Sequence, residues 1–398
     1  MLFSEIPGQL SVKEKLIALF QNNRLSHALL FLGKEGSGAL QLAIAFSQYI
    51  LCEKNNSPSV GAGESLFGEA VTVASEPRQN ACGECPSCKK ASLLMHPDIH
   101  FSFPTITKAG VDKPVCNDFI TDWRNFVSTT PFGNAYDWLQ SLGAENKQGN
   151  ITAHECEDII RKLNLKSFES GYKILIQWMP EYLGTSGNKL LKLIEEPPEK
   201  TLFIFVAEDE SKILPTILSR TQLIKINQLE TNDIASWLIS NQAVPKEKAN
   251  SLAPVAQGNL REAFQLLHHA DEDWQGLLRE WLNAILKNGP VAQVKWVEEI
   301  SKLGREKQKQ FLSYFIHLLS ISVHLANTPV PPSVTEDELD FATRLLKLIS
   351  TEQIEALVDE LNHSSYHIER NANAKILFMA LTLKIVHIIR DKSVILIH

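Results

Sequence analysis

The strongest constraint on this chain is the run His27-Ala-Leu-Leu-Phe-Leu-Gly33, followed at once by Lys34-Glu-Gly-Ser-Gly38. A short apolar run ending in glycines reads as a buried strand that enters a glycine-rich turn. A helical pattern from about Ala39 to Leu51 comes next. Strand, glycine loop and helix in this order open an α/β unit with a parallel sheet. Gly33 and Gly38, with Gly36 between them, keep the glycine spacing of the phosphate loop G-x-x-x-x-G-K-[ST]. Such a backbone can aim N–H groups at a phosphate. The side chains that do the chemistry have changed. Ala39 stands where a lysine would reach the β- and γ-phosphates, and Leu40 where a hydroxyl would hold Mg²⁺.

The rest of the first half continues the α/β pattern. Ser11 and Glu14 form a capping-box signature for a first helix. Further strands are expected at about 96–103, at Tyr172–Ile176, at Leu202–Ala207 and at Leu223–Ile226. The third of these, apolar throughout, is expected at the centre of the sheet. Helices are expected at Ile151–Leu163 and Asn188–Glu195, the latter stopped by Pro197-Pro198. Residues 53–80 read as a polar surface insertion, and 104–150 as a second insertion with local helix. From about 229 the pattern is helical to the end. After the strand Tyr172–Ile176 an ATP-hydrolysing site would place acidic residues for Mg²⁺ and water. Here Trp178 and Met179 stand in those positions, while Glu181 is left for a structural contact. Two separate losses lead to the expectation that this chain does not hydrolyse ATP.

Charge and cysteine usage narrow the function. The net charge of −7 argues against a protein that holds DNA alone through phosphate contacts. No signal peptide is visible at the N-terminus, and the apolar stretch Ile376–Ile389 contains Lys384 and His387 and is too short to span a bilayer. No membrane role is expected, and the cytoplasm is the expected location. Cys82, Cys85 and Cys88 follow C-x₂-C-x₂-C spacing, which favours a metal over disulfides in that compartment. Zinc needs a fourth ligand. Cys52 is the first candidate, ahead of His96 and Cys116, and an iron–sulfur cluster is a lesser alternative. Cys116 and Cys156 otherwise read as ordinary thiols.

The most specific run is Asn188-Lys-Leu-Leu-Lys-Leu-Ile-Glu-Glu-Pro-Pro198. It resembles the bacterial clamp-loader AAA+ family, the delta-prime and gamma/tau subunits of DNA polymerase III. Ile6-Pro-Gly-Gln9, Leu25-Ser-His-Ala28 and Gly258-Asn-Leu-Arg-Glu-Ala263 match the same family. The resemblance covers roughly the first 270 residues, and the missing phosphate-loop lysine places the chain on the delta-prime branch. It implies an α/β P-loop (AAA+) domain with a parallel sheet over 1–228, a small helical lid domain over 229–272 and an all-α collar domain over 273–398. Within Leu218-Ser-Arg-Thr221, which is similar to the family's Ser-Arg-Cys, it implies that Arg220, with Ser219, reaches the ATP of a neighbouring gamma/tau subunit. Arg261 matches the family's sensor-2 arginine. Cys52, Cys82, Cys85 and Cys88 match its four-cysteine structural zinc module, although the gap from Cys52 to Cys82 is longer than usual. The implied role is a non-catalytic subunit of the DNA polymerase III holoenzyme and its clamp-loader ATPase. Its partners would be gamma/tau and delta, and through them the sliding clamp and primer–template DNA. Two rivals stand beside this reading: a catalytic AAA+ ATPase with an atypical loop, and a zinc-dependent nucleic-acid-binding module.

Overall fold

The computed structural model describes residues 1–56, 78–107, 113–144, 147, 149–169, 171–268, 273–327, 334, 336–369 and 372–390. Most of the polar stretch 53–80 and the boundary expected at 272 lie outside the described residues. There are two compact units, Met1–Trp237 with Gly258–Arg261, and Leu238–Gln257 with Glu262–His398.

The first unit is built on β1 (Ala28–Gly33), β2 (Ile99–Ser102), β3 (Lys173–Trp178), β4 (Thr201–Ala207) and β5 (Gln222–Ile226). All pair in parallel, in the order β2-β3-β4-β1-β5, so β4 is central as its apolar run implies. Successive side chains alternate between the sheet's faces. Leu29, Phe31, Ile174, Ile176, Ile204 and Val206 pack on one face with helices Leu10–Gln21 and Ala39–Leu51. Ala28, Leu30, Leu175, Phe203 and Phe205 pack on the other with helix Ala153–Leu163. Burial on both faces is what a parallel sheet requires, and it explains why these strands read as continuous apolar runs.

Three local differences from the sequence reading have physical causes. The first helix begins at Leu10, with Gln9 as its N-cap in the left-handed region and no side-chain cap bond, so Ser11 does not cap it. Gln9 instead sends its amide nitrogen to the carbonyls of Ser37 (3.3 Å) and Asn227 (2.6 Å). The helix expected over Asn188–Glu195 is a 3₁₀ segment, Gly184–Leu190, running into a short α-helix, Leu191–Glu195. Glycines at 184 and 187 weaken α-helix there. The 104–150 stretch does contain local helix, at Ile120–Thr129 and Ala135–Ser141, but it belongs to the core. Trp123 and Trp138 are fully buried, Trp123 stacks on Phe103 at 4.3 Å, and the Trp138 indole donates to the Pro104 carbonyl at 2.7 Å.

Among its described residues the second unit contains helices and connecting turns but no strand. Helices Trp274–Asn283, Pro290–Ile300, Arg305–Asn327, Glu336–Leu346, Thr351–Glu369 and Ala374–Arg390 surround an aromatic core. Trp281 and Trp296 stack with centroids 4.5 Å apart, and the Trp281 indole donates to Thr382 Oγ1 at 3.0 Å. On the last helix Lys384 reaches the buried Glu360 at 2.7 Å. Among the described residues no helix is long and apolar enough to cross a membrane.

Candidate functional site

The glycine loop joins β1 to the helix Ala39–Leu51, whose N-cap is Gly38 at φ 85°. Gly36, at φ 70°, could not carry a side chain, because a Cβ would meet Asn259 Oδ1 at 1.9 Å and the Leu260 nitrogen at 2.7 Å. The Gly36 carbonyl accepts from the Leu260 N–H at 3.3 Å. A segment far away in sequence is therefore packed closely against the loop.

Inside the loop, apolar groups fill the space. Leu40 is buried in the sheet core, with Ala39 packed against it. Trp178 and Met179, at the end of β3, are each 3% exposed, and the Trp178 ring lies 5.0 Å from Trp123. The cavity between the loop, Phe132, Trp178 and Glu208 has a volume of about 30 Å³. Small-molecule sites start at about 300 Å³, so the space beside the loop is narrow. Glu181 makes the expected structural contact, with its Oε1 accepting from the N–H groups of Glu208 (2.7 Å) and Asp209 (3.0 Å).

Arg261 is also structural in its contacts. It is 3% exposed, and its Nε and Nη2 lie 2.5 and 2.6 Å from the two oxygens of Asp137, with Nη1 3.0 Å from Glu35 Oε1. Glu35 sits in the glycine loop and also accepts from Asn134 Nδ2 (2.8 Å) and Asn259 Nδ2 (3.1 Å). Glu35, Asn134 and Asp137 were missed in the sequence. One signal was present: Asn134 and Asp137 cap the same helix reciprocally, an N-x-x-D spacing that marks a helix start.

Arg220 lies in the turn between helix Pro215–Leu218 and β5, with its side chain 35% exposed. Every guanidinium nitrogen is engaged within the chain. Nε donates to Glu195 at 2.6 Å, Nη2 pairs with the same carboxylate, and Nη1 donates to the Thr216 carbonyl (2.7 Å) and to Ser219 Oγ (3.1 Å). Glu195 is the first acid of the Glu-Glu-Pro-Pro run, so two motifs distant in sequence meet at one surface point.

The four cysteines form a third centre. Cys52 terminates the helix Ala39–Leu51, and Cys85 caps the helix Pro86–Ser92. The sulfurs of Cys52, Cys82, Cys85 and Cys88 all lie within 4.8 Å of one another, with Cys82 and Cys88 3.8 Å apart. A tetrahedral ion with Zn–S bonds of about 2.3 Å sets its sulfurs about 3.8 Å apart. Backbone N–H groups point at the sulfurs, from Cys82 to Cys52 (3.3 Å), Cys85 to Cys82 (3.3 Å) and Cys88 to Cys85 (3.4 Å). Burial pushes the Cys52 thiol up, a penalty that a coordinated dication offsets. The donor set fits a metal ion. His96 and Cys116 are elsewhere: His96 meets Ser87 Oγ at 2.9 Å, and Cys116 accepts from the Phe103 N–H at 3.2 Å.

Comparison with known proteins adds a family. The family described as DNA polymerase III, delta subunit, matches residues 8–65 and 59–230. DNA polymerase III subunit delta' of Bacillus subtilis is 26% identical over 255 residues, spanning 64% of this chain and 58% of that protein. Subunit delta' of Escherichia coli is 21% identical over 394 residues, 96% of this chain and 95% of that one. Subunit tau of B. subtilis is 23% identical over 312 residues, but over only 44% of its own length. A solved DNA polymerase III gamma subunit-related protein from Thermotoga maritima aligns over 93% of this chain with 14% identity and a TM-score of 0.36.

Proposed function

Because this chain belongs to the DNA polymerase III delta-subunit family, we propose that it is a delta-prime-type clamp-loader subunit that hydrolyses no ATP itself and supplies Arg220 to a neighbour's ATP. In this reading it assembles with gamma/tau and delta subunits in the cytoplasm and helps to place the sliding clamp on primed DNA. The α/β domain carries the arginine, a small lid domain follows over 229–272, and a collar domain over 273–398 joins the ring. The four cysteines hold a structural zinc.

The observation that carries the reading is the contrast between two sites. The chain's own phosphate loop is packed with Leu40, Trp178 and a carboxylate, in a cavity of about 30 Å³. Meanwhile Arg220 stands at the surface, with its charge met by the partly exposed Glu195. A carboxylate at the surface is an exchangeable partner, and a γ-phosphate carries the same chemistry with more charge. An arginine brought to a transferring phosphoryl group in trans raises turnover by roughly 10³–10⁵-fold in related systems. The filled loop speaks against a catalytic ATPase, and the acidic net charge against a free-standing nucleic-acid module.

Arg220→Ala is expected to leave the chain folded and able to assemble with gamma/tau and delta. ATP turnover at the site it serves should fall by at least an order of magnitude. Steady-state ATPase of the reconstituted complex reads this out, and unchanged turnover in a fully assembled complex would refute the trans role.

A further inference from the structure

A second space lies at the opposite end of the sheet from the glycine loop, where the chain enters β1, β3 and β4. Two runs singled out in the sequence meet there: Leu25, Ser26 and His27 of one, and Pro197 and Pro198 of the other. The cavity has a volume of about 300 Å³, against about 30 Å³ beside the glycine loop. It therefore reaches the size at which small-molecule sites begin. Part of its wall is flat and apolar. The two prolines line it together with Tyr172, whose ring stands edge-on to Phe20 at 6.2 Å.

The polar groups of this pocket are few, and they are not used up inside the chain. Thr201 lines it and is 4% exposed, and its Oγ1 is buried with no hydrogen-bond partner among the described residues. A buried hydroxyl left in that state costs free energy that a ligand oxygen recovers. Lys200 also lines the pocket, at φ 53° in the left-handed region. It is third in a turn closed by the Thr201 N–H on the Pro198 carbonyl at 3.2 Å. Glycine or asparagine is the ordinary residue at such a position, and strain of this kind collects where a side chain is needed. The Lys200 ammonium lies over Gly171, 3.5 Å from where a Cβ would stand, and pairs with no acid among the described residues. Glu199 is the other exposed charge of the same turn.

We propose that this pocket binds an aromatic carboxylate, free or as the carboxyl end of a peptide chain. The ring packs against Pro197, Pro198 and Tyr172, and the carboxylate meets the Lys200 ammonium and the Thr201 hydroxyl. Glu199 opposes the same charge and holds the affinity down. The proposal uses neither the glycine loop nor Arg220, so the Arg220→Ala experiment can fail without touching it.

Titration of the full chain with N-acetyl-phenylalanine, followed by ligand-observed NMR, tests it. The wild-type chain should bind the acid and should bind the neutral N-acetyl-phenylalaninamide roughly threefold more weakly. Lys200→Ala, at an exposed position, should weaken binding of the acid about threefold, and Glu199→Gln should strengthen it. Thr201→Val keeps the shape and drops the hydroxyl, and it should weaken binding about fivefold. A pentapeptide ending in phenylalanine that binds more tightly than the acetylated residue supports the proposal with a chain end as ligand; equal or weaker binding supports it with the small acid. No binding by the wild-type chain, equal binding of acid and amide, or affinity unchanged in both Lys200→Ala and Thr201→Val overturns it. If Thr201→Val does not fold, the Lys200→Ala result alone decides.

Discussion

Single side chains in this protein show how burial sets chemistry. Glu155 is 1% exposed, its Oε2 accepts from the Cys116 N–H at 2.7 Å, and burial raises its pKa above the usual carboxylate value. Glu181 is raised for the same reason. A carboxylate whose folded pKa lies above its unfolded value binds protons more tightly in the native state. Its contribution is present at acid pH and is lost as pH rises from about 4.3 through the raised value. Glu155→Gln retains an oxygen for the Cys116 N–H and removes that titration. The variant should be more stable than wild type at pH 7–8, with a flatter stability–pH curve above pH 4.5. Denaturant unfolding at several pH values checks this, and a variant less stable at pH 8 than wild type would show that the charge itself is needed. At this scale the sequence was a partial guide. The absence of the phosphate-loop lysine and the acids could be read directly, because motif positions are local. The partners of Arg261 could not, since Asp137 lies 124 residues away and only the fold brings it near.

Elements were legible where pattern and packing agree. β1, the helix Ala39–Leu51 and the central β4 stand where the apolar runs put them, because each is buried on every side that its sequence leaves apolar. The 104–150 stretch resisted reading because its short helices hold on through aromatic anchors rather than through a long periodic face. The cysteine centre lies between these cases. Spacing supplies three ligands on one turn, and the fourth arrives at the end of a helix 30 residues earlier, beside the N–H of Cys82. Such a knuckle ties the helix Ala39–Leu51 to the helix Pro86–Ser92. The purified chain should contain about one zinc. Cys85→Ser should release it and lower the melting temperature, since ligand binding to the native state alone stabilises that state. Metal analysis before and after a chelator, together with melting curves, measures both. Metal-free protein of unchanged stability would end the zinc assignment.

At the scale of the whole molecule, both units expose apolar side chains. In the helical unit, Val291 is 84% exposed and Ile376 71%, on the helices Pro290–Ile300 and Ala374–Arg390, which an ion pair between Glu298 and Lys375 links at 4.0 Å. Exposed aliphatic groups on neighbouring helices suit the collar contact proposed for this unit. Ile376→Asp should leave the melting temperature of the isolated chain within about 1 °C, because the residue packs against little, while weakening assembly with gamma/tau. Gel filtration of the mixed subunits reads the difference, and undiminished assembly would move the contact elsewhere. The packed glycine loop also limits what any single substitution could build there. Ala39→Lys alone would place an ammonium beside the Trp178 indole and the Leu40 side chain, which line the same small cavity. Under the function proposed here, a working phosphate site would take a new ring, new acids and a new loop at once, so one exchanged residue should leave the pocket as closed as before.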